Sequence, residues 1–316
     1  MSRIITILAA LVFSGAAFAQ AWPAKPVRVI VPFAAGGSLD FVTRMLSDRL
    51  SQELGQPFIV ENRTGANGNI GAEYVAKQPA DGYVLLSSAD ALTSSPHLYK
   101  LGYDAIKDLM PIVQYTRQPL VLAVHPSLGV ATVAELIVAA KAKPGIGYAT
   151  SGAGSGQHIA GEWLAQIAGI KLTHVPYKGG GQAIGDLVGG QVQVASLGST
   201  PVMPHYKAGK VKIIAQSTET RASSLPEVPT YQESGMRGLI LDQWLGLFAP
   251  AGTPPQIVQQ LNASVARILA EPSVRERLAP QGLDAVGGTP EQFASLFRSD
   301  YEKYGRLVKE LNIKIE

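Results

Sequence analysis

The 316-residue sequence contains no cysteine, no long basic run and no apolar run of the roughly 20 residues that span a bilayer. Without cysteine, disulfides, thiolate catalysis, thiolate metal sites and an N-terminal lipid-anchored cysteine are all excluded. The five histidines show neither an H-x-x-x-H nor an H-E-x-x-H spacing, so we expect no metal and no cofactor. The formal net charge is only +3, and nucleic acid is therefore not an expected partner.

Residues 2–19 match the pattern of a secretory signal. Arg3 precedes the apolar run Ile4–Phe13, and Ala17-Phe18-Ala19 forms a small-x-small cleavage site. The apolar run is too short to cross a bilayer. We therefore expect a mature chain that is cleaved near Ala19, exported to the periplasm and not inserted in the membrane.

Strand-like and helix-like segments alternate along most of the chain, as in the strand Val27–Phe33 and the helix Leu39–Leu54. This alternation predicts an α/β fold with parallel sheets. Two strand-like segments, Met110–Thr116 and Val211–Ser217, flank the central block and are the expected crossings between two lobes. The predicted first lobe comprises residues 20–111 and 216–316, and the predicted second lobe comprises residues 112–215.

Two segments share a strand–glycine loop–helix design: VPFAAGGSLDFVTR (Val31–Arg44) and YATSGAGSGQHIAGE (Tyr148–Glu162). Backbone N–H groups of such a loop and of the following helix N-terminus together form an anion cradle. Neither glycine loop contains Lys or Arg, so an anion would be held by neutral donors. Either loop alone could be a simple tight connection. As a pair, they could clamp a small carboxylate from both sides.

Ordered motifs over about Trp22 to Lys314 resemble one family. They include WPAKPVRVIVPFAAGGSLDFVTR, VENRTGANGNIGAEYVA, SGAGSGQHIAGE, HVPYKGGGQAIGDLVGGQV and WLGLFAPAGTP. This set is similar to the periplasmic solute-binding proteins of tripartite tricarboxylate transporters, the Bug or TctC family. The resemblance implies a type II periplasmic binding-protein fold, in which two lobes with mixed, mainly parallel sheets are joined by two crossing strands.

The resemblance also implies four groups of ligand-binding residues, which lie at the two glycine loops, after the strand Val84–Leu86 and after the strand Val192–Leu197. They are Phe33, Ala34, Ala35, Gly36, Gly37 and Ser38; Thr150, Ser151, Gly152, Ala153, Gly154, Ser155 and Gly156; Ser87, Ser88, Ala89 and Asp90; and Ser199 and Thr200. Asp90 stands where a small uncharged residue is expected. If it faces the ligand, it disfavours a second carboxylate there. The alternative, that Asp90 is turned away, stays open.

The function implied is capture of a small organic carboxylate by a monomer that delivers it to the permease subunits of the transporter. A binding or sensor subunit of another uptake or signalling system is an alternative. A periplasmic enzyme that acts on an organic acid is a further alternative, and it would need a nucleophile–base pair or a metal. The sequence supplies neither, so we do not expect an enzyme.

Overall fold

The computed structural model describes residues 22–315, and the predicted signal segment and its cleavage site lie outside them. Within that range, no helix is both long enough and apolar enough to cross a membrane. The strands are β1 (Val27–Val31), β2 (Phe58–Asn62), β3 (Val84–Ala89), β4 (Leu109–Val124), β5 (Ile146–Thr150), β6 (Leu172–Pro176), β7 (Val194–Gly198), β8 (Lys212–Gln216), β9 (Asp242–Pro250) and β10 (Asp284–Gly287). The helices are α1 (Ser38–Leu54), α2 (Asn69–Ala76), α3 (Ala91–Ser94), α4 (Val133–Ala142), α5 (Gly156–Ala168), α6 (Gly180–Val188), α7 (Ser199–Lys207), α8 (Pro255–Ala270), α9 (Pro272–Leu278) and α10 (Pro290–Glu310).

The strands form two mixed sheets that share β4. In the first sheet, β1 is parallel to β2 and β3, and β9 lies antiparallel between β3 and β4. In the second sheet, β5 is parallel to β6 and β7, and β4 is antiparallel to β7 and β8. Strand β10 adds to the free side of β4 in the first sheet. This arrangement confirms the predicted α/β fold.

Strand β4 is the first crossing between the lobes. The sequence pattern predicts a strand over Met110–Thr116, but the strand is longer and runs without a break over Leu109–Val124. Residues 109–119 pair with β9, and residues 120–124 pair with β7 and β8. The chain therefore enters the second lobe near Pro119, later than the predicted boundary at residue 112.

The second crossing is also later than predicted. Strand β8 pairs with the second-lobe half of β4 and so stays within that lobe. Residues 217–241 remain there too, because Leu225 and Tyr231 are buried in its apolar cores. The chain returns to the first lobe at Asp242, where β9 begins, and not at residue 216. The position of this boundary depends on the tertiary packing of residues 217–241, which form an irregular segment.

The C-terminal helix α10 packs against both lobes, although the sequence pattern assigns it to the first. Near its start, Phe293 and Phe297 pack with Trp244 in a first-lobe core. Near its end, Tyr304 and Leu307 belong to a second-lobe core. The helix is thus a third physical link between the lobes.

Candidate functional site

A cavity of about 40 Å³, here called the inner chamber, lies between the lobes. Residues of both lobes form its wall, and among them only Asp40 has a charged side chain. The lining residues are Phe33, Ala34, Gly37, Ser38, Leu39, Asp40, Ala89, Ala91, Ser151, Ser155, Gln157, Gly180, Gly198, Pro201, Gln243 and Leu245. The chamber is therefore bounded mainly by glycine backbone, small residues, hydroxyls and two side-chain amides.

Four helices begin at this wall. Helices α1, α5, α6 and α7 follow strands β1, β5, β6 and β7, so their first turns lie beyond the carboxyl ends of those strands. The first backbone N–H groups of a helix have no acceptor within the helix, and the dipole is positive at that end. Four positive helix ends thus converge on one small chamber, an arrangement of neutral donors that favours an anion.

The carboxylate of Asp40 is engaged with the protein. It accepts hydrogen bonds from Arg44 at 3.1 Å, from Asn62 at 2.9 Å and from the Gly36 N–H at 3.3 Å. Burial alone would raise the pKa of Asp40, but these hydrogen bonds outweigh it and hold the pKa below its ordinary value. Asp40 therefore stabilises the first turn of α1.

Only part of the first glycine loop lines the inner chamber. Phe33, Ala34, Gly37 and Ser38 line the chamber. Ala35 and Gly36 instead contact Lys178–Gly181 of the second lobe, here called the KGGG segment: the Ala34 N–H donates to the Lys178 carbonyl at 2.9 Å, and Gly36 packs on Gly181. Backbone contacts thus hold the loop against the opposite lobe.

The KGGG segment was missed as part of the site by the sequence analysis. It follows β6 and opens α6, and Gly180 lines the chamber. This is the same strand–glycine–helix pattern as in the other two loops. The signal was therefore present in the sequence.

The second glycine loop contributes two serines and an unpredicted amide to the inner chamber. Ser151 and Ser155 line it, and Ser155 caps α5 by accepting from the His158 N–H at 3.2 Å. Gln157 also lines it. Its Oε1 accepts from the Ser151 N–H at 2.8 Å, so its amide nitrogen is the donor that it can offer to the chamber.

The remaining residues of the second loop hold its shape or touch the first lobe. The Gly154 carbonyl accepts from Ser94 at 2.5 Å, and the Ala153 carbonyl accepts from Tyr99 at 2.8 Å. Thr150 is buried beneath the loop, and Gly156 packs against Asp90. These residues position the loop and do not line the inner chamber.

Two stacked imidazoles support this loop from below. The rings of His158 and His174 lie 3.9 Å apart, and His158 Nδ1 accepts from the Gly154 N–H at 3.0 Å. His174 shares a 2.7 Å hydrogen bond with Thr150. Burial lowers the pKa of His158 to about 4, and burial together with the neighbouring His158 lowers the pKa of His174 to about 3. Both rings are neutral near pH 7 and add no positive charge to the chamber.

Of the predicted group that follows Leu86, only Ala89 reaches the inner chamber. Ser87 and Ser88 are buried within the sheet, and the Ser87 hydroxyl is hydrogen-bonded to Thr43 at 2.6 Å. Asp90 is completely buried behind the wall. Asp90 is thus turned away from the inner chamber and does not line it.

Asp90 ends a buried chain of hydrogen bonds. It accepts from Gln243 at 2.8 Å and from Tyr304 at 2.9 Å, and burial raises its pKa to about 6. Gln243 in turn accepts from Gln118 at 2.7 Å. Because Gln118 lies on β4 and Gln243 on β9, the chain runs through both strands that link the lobes.

The predicted residues Ser199 and Thr200 attach to the other end of this chain. Gln118 Oε1 accepts from the Thr200 hydroxyl at 2.9 Å, from Ser199 at 3.2 Å and from Ser38 at 3.1 Å. Ser38 belongs to the first lobe and the other two belong to the second. We call the set Ser38, Gln118, Ser199, Thr200, Gln243, Asp90 and Tyr304 the glutamine network.

Among residues 22–315, no three His, Asp or Glu side chains are grouped so that they could hold a metal ion. The site that the structure does show is a small chamber between two lobes, with no cationic side chain among its lining residues. Residues 42–313 match the model of the tripartite tricarboxylate transporter family receptor. The chain belongs to this receptor family.

Several solved structures are similar to this protein over nearly the whole chain. The periplasmic binding protein BugD is 32% identical, with a TM-score of 0.89 over 93% of this chain and 100% of its own. Rpa4515 of R. palustris, solved with adipate, is 34% identical, with a TM-score of 0.90 over 93% and 99%. MatC of Rhodopseudomonas palustris, solved with malate, is 31% identical, with a TM-score of 0.85 over 91% and 100%. The fold is that of a periplasmic solute-binding protein.

Proposed function

We propose that this protein captures a small organic carboxylate between its lobes in the periplasm and delivers it to the permease subunits of a tripartite tricarboxylate transporter. The convergence of four helix N-termini on a chamber without a cationic side chain carries the proposal. Such a chamber suits an anion of low charge. The signal-like residues 2–19 support export, with cleavage near Ala19.

Adipate in Rpa4515 and malate in MatC support a carboxylate as the ligand class. Both are dicarboxylates. A second carboxylate is compatible with this chain because Asp90 is buried behind the wall and bonded to Gln243 and Tyr304. Asp90 therefore gives no reason to disfavour a second carboxylate on the ligand.

The contacts between the lobes support capture of the ligand by closure of the cleft. The Ala34–Lys178, Ser94–Gly154 and Tyr99–Ala153 hydrogen bonds all join one lobe to the other. Separation of the two loops across the cleft would break the Ala34–Lys178 bond. Closure removes water from the carboxylate, and hydrogen bonds to a charged group are stronger in such surroundings.

Catalysis is a weaker interpretation of the same cleft. The lining residues include hydroxyls, but none of them is a His, Lys or Cys that could activate a nucleophile. Ser155 is engaged with the Gly152 carbonyl and Ser38 with Gln118. A sensor role in another uptake or signalling system would use the same binding step, and the genes that adjoin this one would distinguish it from transport.

Titration calorimetry with adipate and malate, alongside the neutral diamide of adipate, tests the proposal. We expect the mature protein to bind at least one dicarboxylate and to bind the diamide at least about tenfold more weakly, because the helix ends favour negative charge. Small-angle scattering should show a smaller radius of gyration with ligand. An unchanged radius at saturation would contradict closure, and turnover of a bound acid would favour the enzyme alternative.

A further inference from the structure

Asp90 carries a buried carboxyl group that the anion-binding geometry of the chamber does not use. Each of its oxygens accepts a hydrogen bond from a neutral donor: Oδ1 from the Gln243 amide at 2.8 Å and Oδ2 from the Tyr304 hydroxyl at 2.9 Å. The cation that acts on it, Lys303, is itself paired with Asp300 at 2.8 Å. Burial of a carboxylate that is bonded only to neutral donors disfavours its ionised form.

Asp90 lies directly behind the inner chamber and at the contact between the lobes. Its chain neighbours Ala89 and Ala91 line the chamber, and so does Gln243, whose amide is bonded to it. On its other side it meets the second lobe, because a Cβ built on Gly156, in the first turn of α5, would collide with Asp90 Oδ2. The carboxyl group of one lobe thus packs against the start of a helix in the other.

Closure of the cleft and binding of an anion act on Asp90 in the same direction. Gly156 covers Asp90 Oδ2 from the second lobe, so separation of the lobes uncovers that oxygen to water. In the structure, burial raises the Asp90 pKa from the ordinary value of 3.8 to about 6. A ligand carboxylate in the inner chamber places a second negative charge on the other side of a thin wall. Such a like charge raises the pKa further.

The charged groups of helix α10 near Asp90 act against each other. Asp300 raises the Asp90 pKa and Lys303 lowers it, and both effects are smaller than that of burial. Tyr304 keeps its own proton, because burial and the neighbouring Asp90 raise its pKa well above the ordinary value. Helix α3, which begins directly after Asp90, has no charged residue. Burial therefore decides the pKa of Asp90.

Three further titratable groups lie near this region. His158 on α5 is neutral between about pH 5 and 7, because burial lowers its pKa to about 4. Burial raises the pKa of Asp40 in the chamber wall, but its hydrogen bonds outweigh this and keep the side chain ionised. Asp242 precedes Gln243 on β9, and burial raises its pKa as well. Asp242 does not line the chamber, and it is the carboxyl group that an experiment has to distinguish from Asp90.

We infer that Asp90 takes up one proton from solution when a carboxylate binds and the cleft closes, so that the protein captures ligand and proton together. The proton adds to Oδ2, and no other covalent bond is made or broken. The Tyr304 oxygen, whose O–H donates to the carboxylate, can instead accept from the carboxylic acid. The inference rests on the proposed function, since it needs a carboxylate in the inner chamber. It concerns that carboxylate and not the far end of the ligand.

The direction of the pKa change sets the sign of the pH dependence. The closed, liganded state holds the proton more tightly than the open state, so affinity falls as the pH rises through the raised pKa of Asp90. With a pKa of about 6 in the closed state and near the ordinary 3.8 in the open state, adipate should bind about tenfold more tightly at about pH 5 than at about pH 7.5. This figure excludes the titration of the ligand itself.

Titration calorimetry with adipate over this pH range, on the wild type and on Asp90→Asn, tests the inference. The amide imitates the protonated carboxyl group, and the ratio of the two affinities at each pH removes the titration of the ligand. This ratio should change about tenfold across the range, with the wild type the weaker binder at high pH. At about pH 6, titrations in buffers of different ionisation enthalpy should show that the wild type takes up at least about half a proton more than the variant.

Asp242→Asn is the matched control, and it should keep the pH dependence of the wild type. Tyr304→Phe makes the test if Asp90→Asn fails to fold. Loss of this donor to the ionised carboxylate raises the Asp90 pKa, so the pH dependence should persist with its midpoint at higher pH. A purely structural role of Asp90 would instead weaken binding equally at every pH.

The same pH dependence in the wild type and in Asp90→Asn would overturn the inference, and so would its loss in Asp242→Asn alone. In both cases, binding of adipate would still uphold the proposed function. If neither adipate nor malate binds at any pH, the proposed function itself is wrong, and this inference with it.

Discussion

Gly181→Ala is expected to lower carboxylate affinity about 10- to 100-fold while leaving the unliganded protein at least as stable as the wild type. A Cβ at this position would lie 2.5 Å from the Ala35 carbonyl oxygen and 3.0 Å from the Gly36 carbonyl carbon. Both atoms are backbone of the opposite lobe and cannot move aside locally. Overpacking of this kind costs about 1–3 kcal/mol, and here the cost falls on the closed state alone.

The expected stability of the unliganded variant distinguishes an effect on closure of the cleft from an effect on folding. Gly181 is helical, and alanine in a helix is about 0.5–1 kcal/mol more favourable than glycine. Gly185→Ala is the control, because Gly185 lies on the same helix and its Cβ would meet nothing within 4 Å. Thermal melts and calorimetry on both variants provide the measurement. If Gly181→Ala binds the carboxylate as tightly as the wild type, the contacts of Lys178–Gly181 do not hold the cleft closed.

Gln118→Leu is expected to lower the free energy of unfolding by about 2–4 kcal/mol and to weaken ligand binding as well. Gln118 Oε1 is an acceptor for Ser38 and Thr200, and its Nε2 donates to Gln243. A leucine of similar size would leave these buried groups without their partner, at about 1–3 kcal/mol for each one that finds no other. Because Ser38 and Thr200 belong to different lobes, the variant also loses a connection between the lobes in the closed state, and this weakens ligand binding.

Gln114→Leu on the same strand is the control for Gln118. Within residues 22–315, the side chain of Gln114 makes one long hydrogen bond, to the Thr116 carbonyl at 3.5 Å. Its replacement should cost less than about 1 kcal/mol. Urea unfolding of both variants measures the difference. Equal stability of the two variants would mean that the glutamine network does not tie the lobes together.

Local sequence patterns predicted much of this fold because strands and helices here follow local rules. The helix α1 ends at Gly55 in the left-handed conformation with φ +70°, and Thr289 and Gln292 form a capping box at the start of α10. Such signals depend on a few neighbouring residues. They can therefore be read without knowledge of the tertiary structure.

The lobe boundaries could not be read in this way. Residues 217–241 contain few regular elements, and their assignment depends on which core buries Leu225 and Tyr231. Helix α10 has apolar residues along its whole length, but the change from one core to the other between Phe297 and Tyr304 leaves no mark in its periodicity.

The glycine loops were predictable as candidate cradles, whereas their side-chain partners were not. Asp90 follows a strand whose residues are all buried, so alternation gave no sign of the direction it faces. Gln118 and Gln243 lie on different strands, 125 residues apart, and meet only through the pairing of β4 with β9. Gln157 directly follows the second glycine loop, but its amide could equally have faced solvent.

A crystal structure of the mature protein with a bound carboxylate tests the central claim most directly. The account predicts a closed cleft with the carboxylate in the inner chamber, its oxygens within about 3.2 Å of N–H groups in the first turn of α1 and of the Gln157 amide nitrogen. No Lys or Arg side chain should contact that carboxylate. A carboxylate held by a cationic side chain, or seated outside the inner chamber, would contradict the account.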